Sequence, residues 1–490
     1  MYSVGVDLGT SSVKVLVMDS KGQIVKAITK EYPLYFPKPL WSEQNPKDWL
    51  EQSLIGIKEA LESLERHEVA SIGFSGQMHG LVMLDEFDEI IRPAILWNDQ
   101  RSTLETNYLN TAVGMEKLNA YTGNIAFPGF TAPKLLWVKN NEPENFSRIS
   151  KVMLPKDFLA YKLSGVFATD YADASGTLYL DVEKKVWSPE MLDLIGISTD
   201  VLPKLYESYE MIGTLKASYA NELGLNESVK IIIGSGDQAC AAIGGGVVSH
   251  GKCSISLGTS GVVFIHSDHF IKDPQSRLHA FCHANGSYHL MGCMLSAAGA
   301  SKWWVENIQK SMDYDTLFSE AEAIRINNQL YFMPYLMGER SPHNDPDARG
   351  VFWGLNMSHT RGDMTRAVLE GVAFGLRDSF EIVKGLGQTI EEIIINGGGS
   401  KSDFWCQMIA DVMHTKVVKL ENDAGPAYGA AILAAVGAGV FPSVSEACDK
   451  IIKTTEEYIP NSQNEMQYDQ KYETFSKLYP SLKDLFPQIL

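Results

Sequence analysis

The chain writes one short pattern twice. "VDLGTSSVKVLVMD" begins at Val6 and "ISLGTSGVVFIHSD" at Ile255, with Leu, Gly, Thr, Ser, Val and the closing Asp in matching places. Each copy sets two β-branched runs about a Gly-Thr-Ser turn, so it reads as a hairpin whose turn exposes backbone N–H groups and hydroxyls. A chain carrying two such units reads as two related halves, and 490 residues exceed what one hydrophobic core usually serves. The halves are expected to meet near residues 244–250, at "GGGVVSHG", giving domains 1–246 and 247–490.

Two such turns facing each other could grip one polyphosphate from both walls of a cleft, with Gly9, Thr10 and Ser11 on one side and Gly258, Thr259 and Ser260 on the other. Asp7 has no counterpart, since Ser256 takes its place. A carboxylate beside a phosphate loop can hold Mg²⁺ through water, whereas a second one opposite would add repulsion without a second metal. Lys14 follows the first loop on a strand and is assigned no role.

The remaining segments alternate strand and helix patterns, as in an α/β fold. "NPKDWLEQSLIGIKEALESLE" predicts a helix capped by Asn45 with Pro46 in its first turn, and "DMTRAVLEGVAFGLRDSFEIVKGLG" a long one with two glycines on its apolar face. "IEEIIINGGGS" followed by "SDFWCQMIADVMH" is a strand, Gly-rich turn and helix, an arrangement that suits a nucleotide. Asp237 follows the strand "VKIIIGSG" and starts a small-residue helix, either as its N-cap or as a carboxylate directed into a cleft. "GFSGQMHG" and "LWNDQR" end two strands with polar clusters that suit a ligand rich in hydroxyls.

Other features exclude or read plainly. A net charge of −18 argues against a nucleic-acid or anionic-membrane surface, and no stretch is long and apolar enough to span a bilayer, so a cytoplasmic protein is expected. The six cysteines form no CxxC pair. The group His279, Cys282, His283, His289 and Cys293 reads as structural or cleft-lining, not as a zinc site. Trp303 and Trp304 read as packing, and "GERSPHNDPDARG" as a polar loop that lines the cleft or fixes the domain interface.

The motifs "GFTAPKLLWVKNN" and "GLNMSHTRGDMTRAVLEG", in order with "GQMHG", "LWNDQR", "FCHA" and "YLMGERSPHNDPDARGVFWGL", resemble the FGGY carbohydrate kinases over nearly the full length. The resemblance implies two actin-like ATPase domains, ribonuclease-H-like in fold, flanking a catalytic cleft for ATP, Mg²⁺ and sugar. It implies phosphorylation of D-xylulose to D-xylulose 5-phosphate, with Asp237 as general base and Asp7 as the metal-associated carboxylate. It places Gln77, Met78, His79, Asp99, Arg101 and Gln238 toward the ketose and Gly398, Gly399 and Ser402 toward adenosine, Ser402 standing where many of that family carry Asn. A homodimer is left open. The competing readings are a kinase of the same family for gluconate, ribulose or glycerol, and an actin-like ATPase indifferent to sugar. Gluconate would need a cation that "GQMHG" does not offer.

Overall fold

The computed structural model describes residues 1–422 and 425–489. The first repeat forms its hairpin: β1 (Tyr2–Leu8) and β2 (Ser12–Asp19) run antiparallel with Leu8 opposite Val13, and β3 (Ile24–Glu31) adds to β2 antiparallel. Helix α1 (Pro46–Ala60) starts as its sequence predicts, the Asn45 side chain accepting from the Lys47 N–H at 3.1 Å with Pro46 in the first turn. β4 (Val69–Gly76) lies parallel to β1, and β5 (Met211–Thr214) and β6 (Lys230–Gly236) complete the sheet in the order β5-β6-β4-β1-β2-β3. Helix α2 (Asp237–Gly244) follows β6.

The second half repeats the layout. β7 (Gly251–Leu257) and β8 (Gly261–Ser267) are the second hairpin. β9 (His279–Cys282) and β10 (Tyr288–Met294) form a hairpin on its flank, then β11 (Ile390–Asn396) and β12 (Lys416–Leu420) run parallel to β7 and β13 (Thr454–Tyr458) antiparallel to β12. The order is β9-β10-β8-β7-β11-β12-β13. In each sheet three antiparallel strands are followed by two parallel ones, β3-β2-β1-β4-β6 against β10-β8-β7-β11-β12. Between them run α3 (Arg361–Gly385), boxed by Thr360 and Asp363, and α4 (Asp403–Met413).

One feature of this arrangement is invisible to local pattern. Helix α5 (Pro426–Ala438) belongs by sequence to the second half but lies on the first sheet. The Gly73 Cα there meets the Ala430 carbonyl so closely that a Cβ would stand 2.7 Å from its oxygen, and the Ser71 hydroxyl donates to Ala434 O at 2.8 Å. Reciprocally, Ala242 of α2 and Val247 just after it share an apolar cluster with Ile394 and Val418 of the second sheet. The two helices cross at Gly429, where any Cβ would collide with the Cys240 carbonyl oxygen, and at Gly244, which rests on the Gly425 and Gly429 backbone. The apolar stretch "YGAAILAAVGAGVF" is therefore the body of a helix buried on most of its surface. Among the described residues no helix is long and apolar enough to cross a membrane.

Gly429→Val is expected to force the crossing apart and lower stability by about 1–3 kcal/mol or more. Chemical or thermal unfolding reads this directly, and an unchanged midpoint would mean that the crossing is looser than the structure shows.

Candidate active site

Two carboxylates stand where strands of the first sheet end. Asp7 lies opposite Ser75 of β4 and opposite Lys14 of β2. Asp237 follows β6, whose register against β4 shifts between Ile232 and Ser235. Gly234 sits in that bulge at φ 69, where a Cβ would overlap the Phe74 carbonyl. Gly236 is the N-cap of α2 and Asp237 its first helical residue, so Asp237 is not the cap; its carboxylate accepts from the Gln238 N–H at 2.8 Å. Burial pushes the Asp7 carboxyl up to about 6, against the nearby Ser75 hydroxyl and the Lys14 charge. Burial, then the charge of Asp7, push Asp237 up to about 7. Asp7 Oδ1 is enclosed with no hydrogen-bond donor among the described residues.

The first Gly-Thr-Ser turn is held rigidly from below. Gly9 N–H donates to Ser12 O at 2.9 Å, the Tyr32 hydroxyl and Gln77 Nε2 donate to Gly9 O, Gln44 Nε2 to Thr10 O at 2.6 Å and Trp97 Nε1 to Thr10 Oγ1 at 2.9 Å. The second turn is tied to the start of the next helix, Ala298 N–H donating to Gly258 O at 2.8 Å and Ala297 N–H to Thr259 O at 3.0 Å. Ser11, Thr259 and Ser260 are exposed. Gly258, Thr259, Gly398, Gly399 and Ser402 line one cavity of about 790 Å³, walled by Phe318, Phe404 and Trp405, a volume suited to a nucleoside. Gly399 is needed for packing, since a Cβ would stand 2.8 Å from Leu257 Cβ and 2.9 Å from the Trp405 ring. Ser402 caps α4, its oxygen accepting from the Trp405 N–H at 3.2 Å, which leaves its hydroxyl proton and one lone pair for a ligand.

Met78 packs at the residue before Asp237, and His79 follows Met78 in sequence. Met78 fills the space over Gly236, whose Cβ would stand 2.7 Å from Met78 Cγ. His79 takes the left-handed backbone region at φ 68, an uncommon state for a side-chain-bearing residue. Its Nδ1 donates to Gly176 O at 2.7 Å, and burial with the nearby Lys134 and Arg340 charges holds the imidazole neutral, pushed down to about 3. Nε2 is then an acceptor, with no hydrogen bond among the described residues. Its ring centroid lies 4.7 Å from that of Phe130.

Three expected sugar residues are engaged elsewhere. Asp99 and Arg101 form a buried pair, Arg101 Nη2 to Asp99 Oδ2 at 2.7 Å and Nε to Oδ1 at 2.9 Å, with Glu43 2.7 Å from Nη1 and Trp41 3.7 Å below the guanidinium. Gln77 donates to Gly9 O at 3.3 Å and to Gln44 Oε1 at 2.9 Å, so it props the phosphate loop. The charges of Asp99 and Arg101 neutralise each other in a site without water, which is why they turn inward. Of that cluster, Asn98 keeps an enclosed Oδ1 without a partner among the described residues.

Residues given no individual sugar role from sequence, Phe127, Phe130, Arg340 and the Lys156 network, stand here as well. Phe127, Phe130 and His79 from the first half meet His279 and Arg340 from the second: His279 is 5.2 Å from Phe127 and 5.6 Å from Phe130, and Arg340 lies 4.4 Å from the Phe127 centroid. The "GERSPH" loop thus lines the cleft and bridges the halves at once. Beneath Asp237, Lys156 is enclosed by Asp157 at 2.6 Å, Asp170 at 2.8 Å and Asp173 at 3.7 Å, and Asp173 Oδ1 lies against Gly236. Burial raises the Asp173 carboxyl far above its ordinary range despite Lys156. In the β9–β10 hairpin, His283 bonds to Val247 O at 2.9 Å and His289 stacks on Phe264 at 3.9 Å, packing roles both. Trp304 donates to Thr365 Oγ1 at 2.9 Å and Trp303 stacks on Phe332, also packing.

Two duplicated sheets that each carry a Gly-Thr-Ser hairpin turn, with a carboxylate at a strand end of the first, fit a phosphotransferase of the actin-like type. Residues 2–244 match the FGGY family of carbohydrate kinases, N-terminal domain, and residues 253–438 its C-terminal domain. Xylulose kinase of Escherichia coli (strain K12) is 40% identical over 487 residues, 99% of this chain and 100% of that protein. Ligand-bound xylulose kinase from Lactobacillus acidophilus is 28% identical with TM-score 0.95 over 100% of both chains. Gluconate kinase from the same organism is also 28% identical, with TM-score 0.94 over 100% of this chain and 99% of that one. The chain belongs to the FGGY family of carbohydrate kinases.

Asp237 titrates near 7 in the folded protein and near 4 when unfolded, so the folded state holds the extra proton and stability falls as pH rises through that window. Asp237→Asn removes this loss. The ligand-free variant is expected to melt above the wild type at pH 8, the gap closing toward about pH 4. A gap that does not change with pH would place the Asp237 pKa in the ordinary range.

Proposed function

We propose that this carbohydrate kinase transfers the γ-phosphoryl group of ATP to the terminal hydroxyl of D-xylulose, giving D-xylulose 5-phosphate. The observation that carries the sugar assignment is the full-length 40% identity to the E. coli xylulose kinase; fold alone does not, since xylulose and gluconate kinases superpose equally well. The argument that gluconate lacks a cation in the pocket does not hold, because Arg340 supplies one. Residues 1–246 and 247–490 are taken as the two domains, with the cleft between them.

Asp237 accepts the proton of the attacking hydroxyl. At an ordinary pKa of about 4 it would be a weak base, but at about 7 it is matched to neutral pH, the condition under which general-base catalysis contributes most. Gln238, next to it, helps set its charge. Met78 and His79 hold the sugar against it, His79 Nε2 accepting from a sugar hydroxyl. The N–H groups and hydroxyls of Gly9, Thr10, Ser11, Gly258, Thr259 and Ser260 take phosphate oxygens from the two walls, and Gly398, Gly399 and Ser402 border adenosine. Asp7 fits a divalent cation: its enclosed Oδ1 lacks a donor among the described residues, and burial destabilises its charge. Among the described residues no group of three or more His, Cys, Asp or Glu could hold a metal, so Mg²⁺ would sit on Asp7, water and phosphate. When bound, Mg²⁺ neutralises charge on the phosphates. Closing the two halves excludes water that would otherwise accept the phosphoryl group.

The test is ADP release with MgATP against D-xylulose, D-ribulose, L-ribulose, gluconate, glycerol and no sugar. D-xylulose alone is expected to stimulate strongly; another sugar would move the specificity, and sugar-independent hydrolysis would indicate an ATPase. Asp237→Ala should lower turnover by about 10²–10⁴-fold or more while ATP binding persists. His79→Ala should act mainly on KM for the sugar.

A further inference from the structure

Arg340 is a half-buried cation without an anion. Its guanidinium makes no ion pair among the described residues, and its Nε is enclosed with no hydrogen-bond acceptor. The neighbouring acid does not serve it, because Glu339 turns its carboxylate to the N–H groups of Leu295, at 2.9 Å, and Arg340 itself, at 2.7 Å. The loop is pinned by Ser341 N–H donating to Cys293 O at 2.8 Å, which holds the guanidinium over Phe127 at 4.4 Å and Phe130 at 5.8 Å. The aromatic faces offset part of the desolvation but accept no strong hydrogen bond. Such a group in a binding cleft is a donor waiting for an acceptor.

Its surroundings narrow what that acceptor is. His79 Nε2 is itself an acceptor, so it suits a hydroxyl. Lys134, the other cation nearby, already donates to His79 O at 3.0 Å and Gly129 O at 2.7 Å. Arg340 is therefore the cluster's free obligate donor, unable to accept from a hydroxyl proton. The Cys293 thiol feels both the Arg340 guanidinium and the Asp237 carboxylate, so both charges lie close to that one side chain.

The substrate's chemistry supplies a matching group. D-xylulose carries its ketone at C2 and the hydroxyl to be phosphorylated at C5. Closing the furanose ring would make O5 the ring oxygen, so a kinase acting on O5 must hold the acyclic sugar, in which the C2 carbonyl is free. That carbonyl is an acceptor only. We propose that Arg340 donates to the C2 carbonyl oxygen of acyclic D-xylulose, reading the ketone from the far end of the sugar while Asp237 engages O5. The inference rests on the D-xylulose reading above.

The experiment compares D-xylulose with xylitol, identical except that C2 carries a hydroxyl, in the full-length wild type and in Arg340→Met and Arg340→Gln. The wild type should favour D-xylulose over xylitol strongly in kcat/KM. Arg340→Met should lose about 100-fold or more on D-xylulose and less than about threefold on xylitol, because a site built for a polar group discriminates by that interaction. Equal losses on both substrates would assign Arg340 to packing and overturn the proposal, as would unchanged D-xylulose kinetics. A wild type preferring gluconate to D-xylulose would overturn the reading beneath it and assign the cation to a carboxylate. Carbon-13 NMR of D-xylulose labelled at C2, bound to the wild type with ADP, gives a readout that folding alone does not move. A ketone signal shifted by hydrogen bonding, and shifted back in Arg340→Gln, is expected; a hemiketal signal contradicts the proposal.

Discussion

Asp237 keeps its proton near neutral pH because burial and the charge of Asp7 both oppose its ionisation, and much of the cleft is arranged around that conflict. A carboxylate this poor at losing its proton is a base of useful strength, and it sits where a cation on Asp7 would relieve part of the repulsion. Ligand-free, the protein carries this as a loss of stability that grows with pH. The Lys156 network beneath, with three carboxyl groups about one ammonium, packs under the Gly236 backbone that leads into Asp237.

The fold supplies the geometry by duplication and by one helix of the second half packed on the first sheet. Each half ends a parallel strand at the cleft, and each contributes one Gly-Thr-Ser turn. Helix α5, which follows the fifth strand of the second plan, crosses onto the first sheet and meets α2, which follows the fifth strand of the first, where Gly429 abuts the Cys240 carbonyl. Side chains at that crossing would separate the two loops, so the small-residue composition of α5 sets the cleft as much as any catalytic group does. Arg340 shows the same logic at the other end, reaching from the second half onto Phe127 and Phe130 of the first.

Local patterns make much of this legible. The repeated hairpins, the Asn45 cap, the long helix Arg361–Gly385 and the Gly-rich turn before Asp403 all follow from period and capping, which depend on neighbours in sequence. Asp7, Asp237, Met78 and His79 stand out because each lies at a strand end. The packing of α5 on the first sheet depends on contacts between distant segments and leaves only an excess of Gly and Ala as a signal. Asp99 and Arg101 look available because a polar cluster at a strand end does not reveal that its members pair with each other. Arg340 lies in a loop whose sequence fits both the cleft and the interface, and no periodicity separates the two. Phe130, within the "GFTAPK" motif, and Phe127, two residues before it, carry no local signal of the cleft because apolar residues read as packing.

The central claim is that nucleotide and metal bind where Asp7 and Asp237 share an unfavourable charge, and drive the proton off Asp237. Isothermal titration of MgADP into the wild type near pH 7, in two buffers of different ionisation enthalpy, measures that proton directly. The account predicts a buffer-dependent enthalpy corresponding to proton release, lost in Asp237→Asn. An enthalpy independent of buffer, or the same release from the variant, would contradict it.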